Sequence, residues 1–211
     1  PDWTEDFLTV NEYSRPGDPL TEVNNIFVHY TANPGTSAAQ NRSYFEQLKD
    51  NHERSASAHF IIGYNGEILQ CVPLDEVAYC SNQRNHDTLS IECCHPDDSG
   101  RFTQATYDAL VRLVRWLREY YGLEAGQIIR HYDVTGKECP RYYVQHPEAW
   151  AQFLLDVQEV LYESEDSDLI RNLNMYVVNQ FYRKPYDGNR DFYEQFYERL
   201  AAGKELLSLG M

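Results

Sequence analysis

The chain has 211 residues, of which 42% are hydrophobic and 14% aromatic, enough to bury a substantial core and to exclude general disorder. Its 18 basic and 33 acidic residues leave a formal charge of −15, and no basic stripe exists to neutralise phosphates, so nucleic acid is excluded as a partner. No run of about 18 or more apolar residues occurs, so no transmembrane segment is expected in this chain.

Residues 1–24 are turn-rich around Ser14-Arg15-Pro16-Gly17-Asp18-Pro19 and are expected to wrap the domain as an N-terminal extended arm. The apolar run Ile26-Phe27-Val28 predicts a short buried strand over 25–30, followed by the turn-forming stretch Thr31-Ala32-Asn33-Pro34-Gly35. A helix is predicted from Ser37 to Lys49. Strands over 58–63 and 67–72, joined by the hairpin signal Asn65-Gly66, precede another over 88–94. The helix from Thr103 to Tyr121 is the clearest, because Tyr107, Leu110, Val111, Val114, Leu117 and Tyr121 fall on one face and Gly122 ends it. A strand over 127–130 leads into a Gly-bearing loop, and Pro147 suits the first turn of a helix running to Tyr162. The pattern predicts an α/β fold over residues 25–162, a mixed central β-sheet flanked by helices. After the acidic run Glu163 to Asp168, apolar residues recur with helical spacing on both sides of the turn Lys184–Asn189. This predicts a C-terminal helical hairpin over 163–211, its aromatic stripe serving packing against a neighbour rather than carbohydrate binding.

Residues 131–140 read His-Tyr-Asp-Val-Thr-Gly-Lys-Glu-Cys-Pro and concentrate an imidazole, a thiol and an ammonium group in one short loop. A neutral imidazole and a thiolate are good zinc ligands, but two ligands do not close a site. His29 is the best third candidate, since it stands where a rigid strand gives way to a loop and can be held firmly while reaching a cleft. His29, His131 and Cys139 would supply two nitrogens and one sulfur and leave a fourth position for water, the arrangement of a catalytic zinc. The competing reading makes His29 a hydrogen-bonded core residue, and the spacing between His131 and Cys139 is not that of a zinc finger, so the residues alone leave both open.

Glu92 lies in Leu89-Ser90-Ile91-Glu92-Cys93-Cys94, where the strand period of two turns it away from Ile91 and Cys93. An acid there is functional, paired or simply solvated. Lys137, two residues before Cys139, is either an oxyanion-stabilising cation or an ordinary exposed lysine. Of the other cysteines, Cys71 and Cys80 can pair only if a turn around Pro73 brings them together, and Cys93 and Cys94 point to opposite faces, so free thiols are expected. Asn82 and Arg84, in the loop 81–87, are equally well read as ligand-binding or as plain loop residues.

From Asn25 to about Val157 the chain closely resembles the type 2 N-acetylmuramoyl-L-alanine amidases, zinc amidases related to phage lysins and peptidoglycan recognition proteins. The matching stretches are Phe27 to Gly35, Ser57-Ala58-His59-Phe60-Ile61-Ile62, Ser90-Ile91-Glu92 and residues 131–140, in the family's order. The resemblance implies Zn2+ held by His29, His131 and Cys139, with Glu92 as general base and then acid and Lys137 as stabiliser of the oxyanion. It also implies a mixed α/β fold. One departure stands out: where some phage and animal members carry a catalytic Tyr, this chain has Ala58, which favours the version of the mechanism that uses Glu92. His59 is implied to be a structural strand residue.

The expected activity is zinc-dependent hydrolysis of the amide bond between N-acetylmuramic acid and L-alanine. Peptidoglycan or a muropeptide is the expected partner, with the protein a monomer acting outside the cell or at the cell wall. Because the chain begins at Pro1, any export signal is expected upstream of it. The alternatives are a muropeptide recognition module that does not cut, an intracellular recycling amidase, and a metal-free chain in which Cys139 forms a disulfide.

Overall fold

A computed structural model describes residues 1–80 and 82–158, and the helical hairpin expected over 163–211 lies outside the described residues. Among the described residues, six strands form one sheet: β1 (Thr4–Glu5), β2 (Asn25–Tyr30), β3 (Phe60–Ile62), β4 (Ile68–Gln70), β5 (Thr88–Cys93) and β6 (Ile128–Arg130). Their order across the sheet is β1-β4-β3-β5-β2-β6. Only the β3–β4 hairpin is antiparallel, and the other pairs run parallel, so the sheet is mixed as expected.

The central strands read as continuous apolar runs because both faces of the sheet are covered. On one face Ile26, Val28, Phe60, Leu89 and Ile91 pack with Leu110, Leu113, Val114 and Leu117 of helix α2 (Gln104–Tyr121). Phe153 of α5 (Pro147–Gln158) and Tyr143 of α4 (Arg141–Gln145) complete that core. On the other face Ile61, Cys71, Val72 and Cys94 meet Ala38, Phe45 and Leu48 of α1 (Ala38–Asn51).

Local chemistry sets the ends of these elements. Ser37 and Gln40 form a reciprocal capping box at the start of α1. Thr103 Oγ1 caps α2 at Thr106, and Gly122, with φ of 66°, ends it in the left-handed conformation. Gly66 turns the β3–β4 hairpin at φ of 80°, and a Cβ there would lie 2.8 Å from the Ala105 carbonyl oxygen. Glycine therefore lets the hairpin tip rest against the first turn of α2.

Two regions differ from the sequence reading. The N-terminal segment does more than wrap: β1 adds a strand at the sheet edge, Trp3 stacks edge-on against Phe60 and Trp116, and Leu8 and Leu20 are buried. An Arg15–Glu76 ion pair at 2.7 Å fastens its turn-rich part. A two-residue strand has no periodicity to betray it. The compact unit accordingly takes in the chain from Pro1 onward through the described residues.

The stretch 131–140 is not wholly a loop. Its first half is a short helix, α3 (His131–Thr135), started by Asp133, whose carboxylate accepts the Arg130 backbone N–H at 2.8 Å. Gly136, at φ of 75°, stops it. Helix α4 was likewise unexpected, since five residues are too few to show a helical pattern.

Candidate metal centre and active-site cleft

The sheet positions each candidate residue. In the parallel β2–β5 pairing His29 sits directly opposite Glu92, with Val28 opposite Ile91 on the preceding rung. Alternation sends Val28 and Ile91 into the apolar core and turns His29 and Glu92 together to the other face. The neighbouring pairing of Val28 with Arg130 on β6 then delivers His131, the next residue, alongside His29. The two imidazole rings meet edge to face with centroids 5.0 Å apart.

Cys139 arrives from the far side of α3. The Tyr132 N–H donates to the Cys139 carbonyl at 3.1 Å, and the Cys139 N–H donates to the Lys137 carbonyl at 2.7 Å, which closes the segment on itself. Cys139 Sγ comes to 3.6 Å from His29 Nδ1. One ligand atom each from His29, His131 and Cys139 lie within 4.8 Å of one another. The helix is tied down by Arg130, which pairs with Asp133 at 2.7 Å, donates to the Tyr143 carbonyl at 2.8 Å and covers the Trp150 ring.

These three side chains are almost shut from solvent, with exposures of 2% for His29, 8% for His131 and 2% for Cys139. His29 Nε2 is sealed without a hydrogen-bond partner. Burial, reinforced by His131 and Lys137, holds the His29 imidazole well below its ordinary pKa, and burial with Lys137 lowers His131. Both rings are therefore neutral at pH 7, the state in which imidazole can ligate a cation. Burial pushes the Cys139 thiol up to about 12, so without a cation it keeps its proton, and a bound metal would release it. Two imidazoles and a thiol are a donor set that zinc accepts.

Glu92 is neither solvated nor paired with a base. Burial raises its carboxyl to about 8, against the lowering pull of Lys137, the Cys80 thiol and Arg54. Among the described residues its Oε2 is sealed without a partner, and its Oε1 accepts from the Cys80 thiol at 3.8 Å. Such a carboxyl can hold or release a proton near neutral pH. Lys137 is exposed, borders the same cleft and makes no ion pair among the described residues. The cleft has a volume of about 410 Å³, and His29, Glu92, His131, Lys137 and Cys139 all line it, together with Cys80 and Arg54.

The remaining candidates fall elsewhere. His59 is fully buried and has both ring nitrogens engaged: Nδ1 accepts the Ser90 N–H at 3.1 Å and Nε2 donates to the Glu76 carbonyl at 3.0 Å. Burial lowers it to about 4, so it is a neutral bracket between strands. Ala58 is buried in the α1-side core. Arg84 pairs with Asp87 at 2.6 Å and donates to Asn25, fastening the start of β5, and it does not reach the cleft. All five cysteines are free thiols. Cys80 is the residue that sequence reasoning missed: considered only for a disulfide, it stands beside Glu92, and only the fold of the loop before β5 reveals this.

Comparison with known proteins agrees with this architecture. The Amidase_2 family profile, described as N-acetylmuramoyl-L-alanine amidase, matches residues 19–142. The N-acetylmuramoyl-L-alanine amidase CwlL of Bacillus licheniformis is 35% identical over 170 residues, covering 74% of this chain and 47% of that protein. BlyA of Bacillus subtilis (strain 168), also named an N-acetylmuramoyl-L-alanine amidase, is 33% identical over 172 residues, covering 72% of this chain and 45% of its own length. The chain thus spans about half the length of the curated relatives it matches. Among solved structures, the catalytic domain of XlyA superposes with a TM-score of 0.61 at 26% identity, over 74% of this chain and 99% of that domain. The Drosophila peptidoglycan recognition protein SD shares the fold with a TM-score of 0.52 at 14% identity, over 66% of this chain and 89% of its own. A mixed sheet flanked by helices, a His-His-Cys donor set beside a buried glutamate and a family match over more than half its length together place this chain in the Amidase_2 family of N-acetylmuramoyl-L-alanine amidases.

Proposed function

We propose that the chain hydrolyses the amide bond between the lactyl carboxyl of N-acetylmuramic acid and the L-alanine of the peptidoglycan stem. In this reading His29, His131 and Cys139 hold a zinc ion, Glu92 moves the proton and Lys137 stabilises the oxyanion. The observation that carries it is the parallel register opposing His29 to Glu92, which sets a carboxyl with one sealed, unpartnered oxygen beside a three-donor set. Bound zinc would supply Lewis acidity, polarising the scissile carbonyl and acidifying water so that hydroxide is available near neutral pH.

The protein's own groups do the rest. Glu92 accepts a proton from the attacking water and returns it to the departing amine, which is otherwise too basic to leave. A carboxyl raised to about 8 suits both transfers, because it can carry the proton between them. Lys137, at the cleft wall, meets the carbonyl oxygen as negative charge develops there. Peptidoglycan lies outside the membrane, so the protein works extracellularly or at the cell wall, as a monomer. The charge of −15 offers no steering toward an anionic wall, and recognition rests on the shape and hydrogen bonding of the cleft.

Release of L-alanine amino termini from purified peptidoglycan tests this directly. Glu92→Gln should keep the zinc content of the wild type and lose about 100-fold to 10,000-fold in turnover. Near-normal turnover in that variant would sink the proton-transfer role. Wild-type protein that binds zinc yet releases no L-alanine would point instead to a muropeptide recognition module.

A further inference from the structure

The cleft contains a second donor set, in which Cys80 joins two residues that the proposed reaction already uses. One ligand atom each from His29, Cys80 and Glu92 lie within 4.8 Å of one another, as do those of His29, His131 and Cys139. Cys80 Sγ stands 3.8 Å from Glu92 Oε1. Glu92 Oε2 and His29 Nε2 are both sealed and unpartnered.

Cys80 is held in place rather than hanging from a loose loop. Its backbone N–H donates to Asn85 Oδ1 at 3.1 Å, and the preceding Tyr79 N–H donates to Ser57 Oγ at 2.9 Å. A thiol is a weak hydrogen-bond donor, so the contact to Glu92 satisfies little of the carboxylate's acceptor capacity. A cation does better. With Zn–S near 2.3 Å and Zn–O near 2.0–2.2 Å, a sulfur and an oxygen on one tetrahedral zinc stand about 3.5 Å apart, so the Cys80–Glu92 pair needs only a few tenths of an ångström to close on one. The mix of sulfur, carboxylate oxygen and imidazole suits zinc or cobalt and not magnesium or calcium, which take oxygen ligands.

We propose that Cys80 and Glu92, with His29 shared, form a second divalent-metal position, filled when zinc exceeds one equivalent, and that its occupation inhibits the enzyme by removing Glu92 from proton transfer. Filling it forms a Zn–S, a Zn–O and a Zn–N bond and expels to solvent the protons of the Cys80 thiol, of any protonated Glu92 and of the second His29 ring nitrogen, which then bridges the two ions as imidazolate, with no change of oxidation state. The inhibitory consequence rests on the reading of Glu92 as the base. The metal position itself does not.

The test is a metal titration of chelator-stripped full-length protein, following cobalt by thiolate-to-metal charge-transfer absorption and zinc by equilibrium dialysis. In the wild type the absorption should rise with the first equivalent, from Cys139, and rise again with the second, from Cys80. Cys80→Ser and Cys80→Ala should retain the first rise, lose the second and bind the second equivalent about 10-fold to 100-fold more weakly. Surplus zinc should depress peptidoglycan turnover in the wild type by a larger factor than in either variant, each compared with itself at one equivalent. Saturation at one equivalent, or a second rise that survives both substitutions, would overturn the proposal while leaving the first site intact. No uptake at all would overturn both.

Discussion

Two of the buried histidines, His59 and His29, flank the same strand β5 and are treated differently. His59, between β3 and β5, has a backbone donor on one nitrogen and a carbonyl on the other, so its ring is saturated by the protein itself. His29, on β2, is as thoroughly buried, yet among the described residues Nε2 has no partner and Nδ1 lies against the weakly bonding Cys139 thiol. A buried polar atom without a partner costs about 1–3 kcal/mol. That cost recurs at Glu92 Oε2 on the adjoining strand, and both orphaned atoms belong to residues lining one cleft. Burial alone therefore does not mark a functional histidine. What distinguishes His29 is unmet bonding capacity concentrated where a ligand can enter.

Substituting the two histidines in turn is the strongest way to break this contrast. His29→Ala should remove zinc and reduce L-alanine release to the level of chelator-treated wild type, as read by metal analysis and the amino-terminus assay. A variant that keeps its zinc would refute the assignment of His29. Lys137→Met comes next: loss of an oxyanion donor should lower turnover about 100-fold to 1,000-fold with zinc retained. His59→Ala should do the opposite, keeping zinc but destabilising the fold by about 2–4 kcal/mol, because it leaves the Ser90 N–H and the Glu76 carbonyl unpaired around a cavity. Denaturant unfolding alongside a zinc determination checks both halves of that statement.

The smallest effect sharpens the contrast through pH. In metal-free protein Glu92 titrates at about 8, against an ordinary value of 4.5, so the folded chain holds a proton that the unfolded chain releases between these values. Its stabilising contribution is fully present below about pH 4.5 and is lost as pH rises to about 8. His29, His59 and His131 are shifted downward and act in the other direction, adding stability as pH rises toward 6.5 and losing it as pH falls toward their folded values. The difference in melting temperature between wild type and Glu92→Gln isolates the carboxyl. That difference should change steadily between the two pH values, and a flat difference would contradict a buried, protonated Glu92.

Much of the fold was legible because it depends on local pattern. The apolar run at 26–28 marked a strand covered on both faces, Asn65-Gly66 marked a hairpin, and the stripe from Tyr107 to Tyr121 with Gly122 behind it marked α2. The elements that escaped were β1, α3 and α4, each five residues or shorter. Such segments are decided by partners distant in sequence: Thr4 and Glu5 by the open edge of β4, α3 by the Arg130–Asp133 pair and its anchorage on Tyr143 and Trp150.

The candidate site divides along the same line. Residue types, order and family resemblance were enough to single out His29, Glu92, His131, Lys137 and Cys139, because the chemistry of zinc and of proton transfer restricts which side chains can serve. Their convergence was not in the sequence. It follows from the β2–β5 register, which opposes His29 to Glu92, and from β6 lying beside β2, which brings His131 to the same end of the sheet. Nor could the sequence distinguish the saturated His59 from the unsatisfied His29, or place Cys80 beside Glu92, since hydrogen-bond satisfaction and burial are set by neighbours that only folding supplies. The sequence determined which chemistry is available, and tertiary structure decided which of those groups share a cleft and which are left with bonds to make.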